Sequence, residues 1–153
     1  MKKSLPWWLI ALCVVALDQG SKWWVNHHLL PGQVLSVTGW FDWVLAHNPG
    51  AAFSILADGQ GWQRILLGAI SIAAIVFMAT LMARPGQTPT SRLGLALIMG
   101  GALGNLIDRI LVGDVTDFIQ WHVGNHYWPA FNLADSAITV GVVLLLWDQF
   151  KKS

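Results

Sequence analysis

Apolar residues in this chain fall into four long runs, and polar residues collect at the ends of those runs. Ile65 to Ala83 ("ILLGAISIAAIVFMATLMA") carries no charge, and about 20 mainly apolar residues suffice for a helix to cross lipid. Trp7 to about Val25, Leu93 to about Val112, and about Asn132 to Trp147 qualify only if polar side chains are admitted at one end. The pattern predicts an α-helical integral membrane protein with four transmembrane helices, at about 7–25, 65–83, 93–112 and 132–148. Residues 1–153 then read as a single membrane-embedded domain.

The outer segment at about 26–63 is too long for a plain turn. Within it, "QVLSV" and "WFDWVLA", separated by Thr38-Gly39, read as a short two-stranded piece. "AAFSIL", after Asn48-Pro49-Gly50, reads as a short interfacial helix. A small β-rich segment is therefore expected between helices 1 and 2.

Each impure run places its polar residues at its outer end, and none at its inner end. Asp18 and Lys22, four apart, share a face of the first helix. Asn105, Asp108 and Arg109 close the third, with Asp114 and Asp117 just beyond, and Asn132 and Asp135 open the fourth. A charge at bilayer depth costs about 2.5–3.5 kcal/mol on insertion scales, so such residues normally face protein or water. Plainer readings exist for each: an ion pair at a helix end, snorkelling at the interface, or a helix cap. Gly100 and Gly104 suit close helix packing, and Gly101 lies on the Asn105–Asp108 face. Caps alone do not require Asn and Asp to recur at one depth on separate helices. A shared polar pocket is expected there.

Composition supports lipid as the solvent. Hydrophobic residues make up 55% and charged residues 11%, against about 25% charged in a typical soluble domain. A net charge of +1 lends no support to nucleic-acid binding. Lys2, Lys3, Arg84, Arg92, Lys151 and Lys152 fall on one face. The positive-inside rule puts that face, with both termini, in the cytoplasm and the polar pocket on the outer side. Trp7, Trp8 and Trp147 then mark the inner interface, and Trp23, Trp24, Trp62 and Trp128 the outer one. The basic start resembles a cleavable signal sequence, but Leu12 stands before Cys13 where such sites want a small residue. An uncleaved first helix is expected.

The available chemistry narrows quickly. Cys13, the sole cysteine, lies inside an apolar run, and no base is spaced to activate Ser136. His27, His28, His47, His122 and His126 lack metalloprotease pairing, and every acidic residue is Asp, so no HExxH motif exists. Neither a metal nor another cofactor is expected. Two carboxylates held close in low dielectric cannot both ionise easily, so one keeps its proton. The ionised member can take a proton from an attacking water, while the other donates to the carbonyl oxygen. Asp135 is positioned to meet an Asp at the end of the third helix. Asp108, Asp114 and Asp117 compete for that role, and spacing does not choose among them.

Five ordered motifs carry a family resemblance: "DQGSK" (Asp18–Lys22), "NPGAAF" (Asn48–Phe53), "GNLIDR" (Gly104–Arg109), "DVTDF" (Asp114–Phe118) and "FNLAD" (Phe131–Asp135). Over essentially its whole length the chain resembles bacterial lipoprotein signal peptidase, also called signal peptidase II. The resemblance implies an aspartic endopeptidase of the bacterial inner membrane with four transmembrane helices, whose catalytic pair is Asp117 and Asp135. It implies pocket-building and substrate-positioning roles for Asp18, Lys22, Asn48, Asn105, Asp108, Arg109 and Asn132. It also implies a diacylglyceryl-prolipoprotein substrate, cut on the amino side of the lipidated cysteine. Inhibition by cyclic peptide antibiotics such as globomycin is implied as well. "VTDF" departs from the commoner "VVDF" by Thr116, which leaves the aspartate's role intact.

Two readings from other classes compete. A proton- or ion-coupled carrier would continue its polar groups toward the cytoplasmic side, or show inverted repeats with broken helices. A non-catalytic assembly subunit would leave the clustered aspartates without a task.

Overall fold

The computed structural model describes residues 5–50 and 61–151. In chain order the elements are α1 (Leu5–His28), β1 (Val34–Thr38), β2 (Phe41–Asn48), α2 (Trp62–Ala83), α3 (Pro89–Leu111), β3 (Val115–Val123), β4 (His126–Tyr127) and α4 (Leu133–Phe150). Among the described residues, α2, α3 and α4 are each long and apolar enough to cross a membrane. The expected interfacial helix at "AAFSIL" lies outside the described residues.

Helix α3 is the centre of the bundle. Its start is set by Thr88, whose Oγ1 accepts the Ser91 N–H at 3.0 Å, with Pro89 opening the first turn. Its flanks are lined with glycine, which lets neighbouring backbones close in. A Cβ on Gly94 would lie 2.8 Å from the Gly141 carbonyl oxygen, and one on Gly141 2.6 Å from that of Gly94. One turn-pair later, a Cβ on Gly101 would collide with the carbonyl of Ala134. Gly100 faces Ala11 and Val14 of α1 in the same way. Helices α1 and α4 thus pack against two sides of α3 at backbone distance.

Strand is found in two places, not one. β1 and β2 form the expected hairpin, but β2 also pairs antiparallel with β3, and the sheet order is β1-β2-β3-β4. The expectation of a β segment confined to the connection between helices 1 and 2 is therefore corrected. Residues 115–123, given no element by the sequence pattern, form the strand that carries Asp117. After β4 the chain returns to the sheet at Phe131, which exchanges backbone hydrogen bonds with Ile119 at 2.9 and 3.0 Å. That bridge delivers Asn132 to the flank of β3.

Two apolar clusters bracket a polar layer. Ala11, Met82, Leu95, Ala96 and Met99 form one, and Val25, Leu29, Leu45 and Phe118, beneath the sheet, form the other. On α1, Asp18 and Lys22 fall between Ala11 and Val25. The opposite end of the bundle is not free of acid either. α4 runs past Trp147, and Asp148 is buried there, accepting a hydrogen bond from Thr88 Oγ1 at 2.6 Å. That corrects the expectation that the inner ends hold no polar residue; the Asp148–Thr88 bond ties the last turn of α4 to the first of α3.

Candidate active site

Asp135 is positioned by the start of its own helix. Asn132 is the N-cap of α4: its Oδ1 accepts the Asp135 N–H at 2.9 Å, and the Asp135 carboxylate accepts the Asn132 N–H at 3.2 Å. This capping box satisfies two N–H groups that a helix start leaves unpaired. The remaining oxygen of Asp135 accepts from Asn105 Nδ2 at 2.8 Å. The capping reading and the pocket reading of "FNLAD" thus hold together, because one carboxylate serves both.

Asp117 arrives from β3. In the β2–β3 register it lies opposite Ala46, with Asn48 opposite Val115 two residues away. Asn48 Nδ2 donates to its Oδ2 at 3.1 Å, and Asn132 Nδ2 to its Oδ1 at 2.8 Å. Burial, and then the negative charge of Asp135, push the Asp117 carboxyl up to about 7; the donors Asn48 and Asn132 and the Lys22 charge pull it back only in part.

Asp117, Asp135, Asn48, Asn105 and Arg109 share a cavity of about 590 Å³, walled on its other sides by Trp121, Phe131, Ile138 and Val140. Arg109 reaches across it, donating to the Gly50 carbonyl at 3.2 Å and to the Asn105 carbonyl at 3.4 Å. Of the three aspartates that competed to partner Asp135, only Asp117 lines this cavity. Asp114 sits in the turn before β3. Asp108 turns the other way, into an ion pair with Lys22 at 2.8 Å.

Asp18, Lys22 and Asp108 lie behind the cavity wall and not in it. Lys22, 3% exposed, bonds Asp18 and Asp108 at 2.8 Å each and Asn105 Oδ1 at 3.0 Å. Asn132 is fully buried between this cluster and the cavity, its Nδ2 also within 3.1 Å of Asn105 Oδ1. Gln19 joins the cluster unannounced by the sequence reading, donating to Asp108 Oδ1 at 2.8 Å and the Gly104 carbonyl at 3.1 Å. It stands inside "DQGSK" but one position off the Asp18–Lys22 face, so helical spacing alone gave no reason to select it. Gly104 is required here: a Cβ would lie 2.5 Å from Asp18 Oδ2.

The comparisons with known proteins agree in direction. Residues 10–151 match the family model described as signal peptidase (SPase) II. The chain is 46% identical over 147 residues to a lipoprotein signal peptidase of Azoarcus sp., covering 96% of this chain and 84% of that one. It is 47% identical over 150 residues to a lipoprotein signal peptidase of Pseudomonas putida, covering 96% and 88%. Two solved structures described as bacterial membrane enzymes are similar in fold, each at 31% identity. Their TM-scores are 0.85 and 0.83, with 99% and 100% of this chain covered and 89% and 96% of theirs.

Proposed function

This chain belongs to the signal peptidase II family, and from that premise we propose that Asp117 and Asp135 are the pair with which it cuts prolipoproteins. The observation that carries the reading is their convergence, from a strand and from a helix start, on one cavity, with Asn132 bonded to both. The whole chain works as one membrane-embedded aspartic endopeptidase domain.

At rest the pair shares one proton, held on Asp117. Water between them attacks the scissile carbonyl carbon and gives a proton to Asp135, while Asp117 donates its proton to the carbonyl oxygen. The tetrahedral adduct then collapses. Asp135 passes its proton to the departing amine as the C–N bond breaks, and Asp117 recovers a proton from the adduct's hydroxyl. The two carboxylates supply both proton sites, so the step needs no metal or other cofactor. Arg109 positions substrate carbonyl oxygens, and Asn48, Asn105 and Asn132 hold the two carboxylates in register.

The substrate is a prolipoprotein whose cysteine bears diacylglycerol, cut on that cysteine's amino side. The cavity suits it, because polar groups line one wall while Ile138 and Val140 of α4 form another. Acyl chains can stay beside α4 in lipid while the peptide bond reaches the pair. Cyclic peptide antibiotics such as globomycin would occupy the same cavity. Helix α1 is the fourth span: its 24 residues extend about 36 Å at 1.5 Å per residue, and its charges are paired internally. With the basic residues inside, both termini are cytoplasmic and the cavity opens on the periplasmic face of the inner membrane.

The experiment is processing of a lipidated prolipoprotein by purified Asp117→Asn and Asp135→Asn. Both variants keep shape and lose one carboxylate, so both are expected to fold and to be inactive. Appreciable turnover by either would overturn the pair.

A further inference from the structure

A buried ion cluster is a poor means of stabilising a fold. Desolvating the charges offsets most of their attraction, and apolar residues of similar volume often stabilise as well or better. Asp18, Lys22 and Asp108 are at most 6% exposed and do not line the cavity. Their remaining bonds point to another use. Asp18 Oδ1 accepts the backbone N–H of Ala134 at 2.9 Å. Asp108 Oδ2 accepts the backbone N–H of Thr116 at 3.2 Å. Ala134 immediately precedes Asp135, and Thr116 immediately precedes Asp117.

We propose that Asp18, Lys22 and Asp108 form a positioning bracket that sets the separation of the two catalytic aspartates by gripping the amide before each one. Lys22 is the tie. One ammonium, 2.8 Å from a carboxylate on either side, fixes the spacing of the two grips. Gln19 braces the same pair, its Nε2 lying 2.8 Å from Asp108 Oδ1 and 3.3 Å from Asp18 Oδ2. The bracket adds a second tie, from behind the cavity, to elements already joined by the Phe131–Ile119 bridge and the Asn132–Asp117 bond: α4 starts at one grip, β3 at the other, and the two oxygens reach them from α1 and α3. Misplacing reacting groups by about 1 Å can cost about 100-fold in rate. A rigid ionic tie keeps Asp117 and Asp135 within that tolerance.

The inference rests on Asp117 and Asp135 being the catalytic pair, and its test separates the two ideas. Backbone esters made with the α-hydroxy acid counterparts of Ala134 or Thr116 delete one gripped N–H while keeping every side chain. Each ester is expected to stay folded at the assay temperature, with an unfolding midpoint lowered by the lost hydrogen bond, and to lower kcat by at least about tenfold with KM within about threefold. In parallel, Asp108→Asn keeps an oxygen that can accept from Thr116 and Lys22 but loses the charge of the tie, so it should lower kcat by up to about tenfold, and Asp108→Leu, which loses both grip and tie, by at least about 100-fold. If Asp108→Leu does not fold, the esters decide. Esters with wild-type kcat, losses confined to KM, or equal effects of Asn and Leu at position 108 would overturn the bracket. Turnover by Asp117→Asn or Asp135→Asn would instead remove the pair itself, whatever the esters do.

Discussion

The Nδ2 of Asn132 lies 2.8 Å from the Oδ1 of Asp117, although the two residues belong to different elements and Asn132 is the cap of the other. One side chain therefore starts α4 with its oxygen and steadies β3 with its nitrogen.

Splitting these two tasks gives a first prediction. Asn132→Ala removes both, and should cost about 0.5–2 kcal/mol of stability from the cap and about 100-fold or more in activity from the loosened pair. Asn132→Ser keeps an N-capping oxygen but offers Asp117 no amide donor, so it should be nearly as stable as the wild type and still slow. Calorimetry beside a processing assay checks this. Full activity in Asn132→Ser would show the contact with Asp117 to be idle.

The pH profile offers a second. Asp117 is raised by burial and by Asp135 from 3.8 to about 7, so the working proton is present below about 7 and lost above it. We expect kcat/KM to fall through an upper limb near that value. Asn48→Ala deletes a donor that favours the ionised form, so the limb should move to higher pH. Linkage adds a sign for stability. Between 3.8 and about 7 the folded state holds a proton that the unfolded chain releases, so stability should decline as pH rises across that window. Asp117→Asn should flatten the decline; a variant as pH-sensitive as the wild type would contradict the assignment.

Glycine contacts provide a third. A Cβ on Gly101 would strike the Ala134 carbonyl and lie 2.8 Å from Ile138 Cγ1, so Gly101→Ala must displace the start of α4. The expected cost is about 1–3 kcal/mol, with activity falling alongside because Asp135 moves too. Gly68→Ala is the control. Among the described residues its Cβ would meet only Leu106 Cδ1, at 3.8 Å, and the change should be neutral or stabilise by about 0.5–1 kcal/mol. Equal effects at the two positions would undo the packing argument.

Metal removal is the fourth. Proton transfer between two carboxylates has no place for an ion, so exhaustive chelation should leave processing of the lipidated substrate unchanged. Loss of activity restored by added zinc would bring His122 and His126 back into consideration.

How far the primary structure reached differs from element to element. The four helices were readable because each is a nearly continuous apolar run, and the β1–β2 hairpin because its strands are adjacent in sequence. β3 was not readable. Thr116, Asp117 and Gln120 interrupt its apolar pattern, and its partner β2 lies some seventy residues earlier along the chain. Asp148 was overlooked because it stands at the last position of the expected span 132–148, one residue past the apolar run ending at Trp147. The family resemblance selected Asp117 from among three aspartates; spacing had not.

Composition and periodicity were enough to establish a helical membrane protein with most of its helix-borne acids toward one end of the bundle, because the cost of placing a charge in hydrocarbon leaves few alternatives. Which acid faces the cavity, which is spent on Lys22, and which amides those acids hold were decided only by folding. Each of those outcomes depends on a strand pairing or a glycine-mediated helix contact between distant segments, and a linear pattern carries no record of such distances.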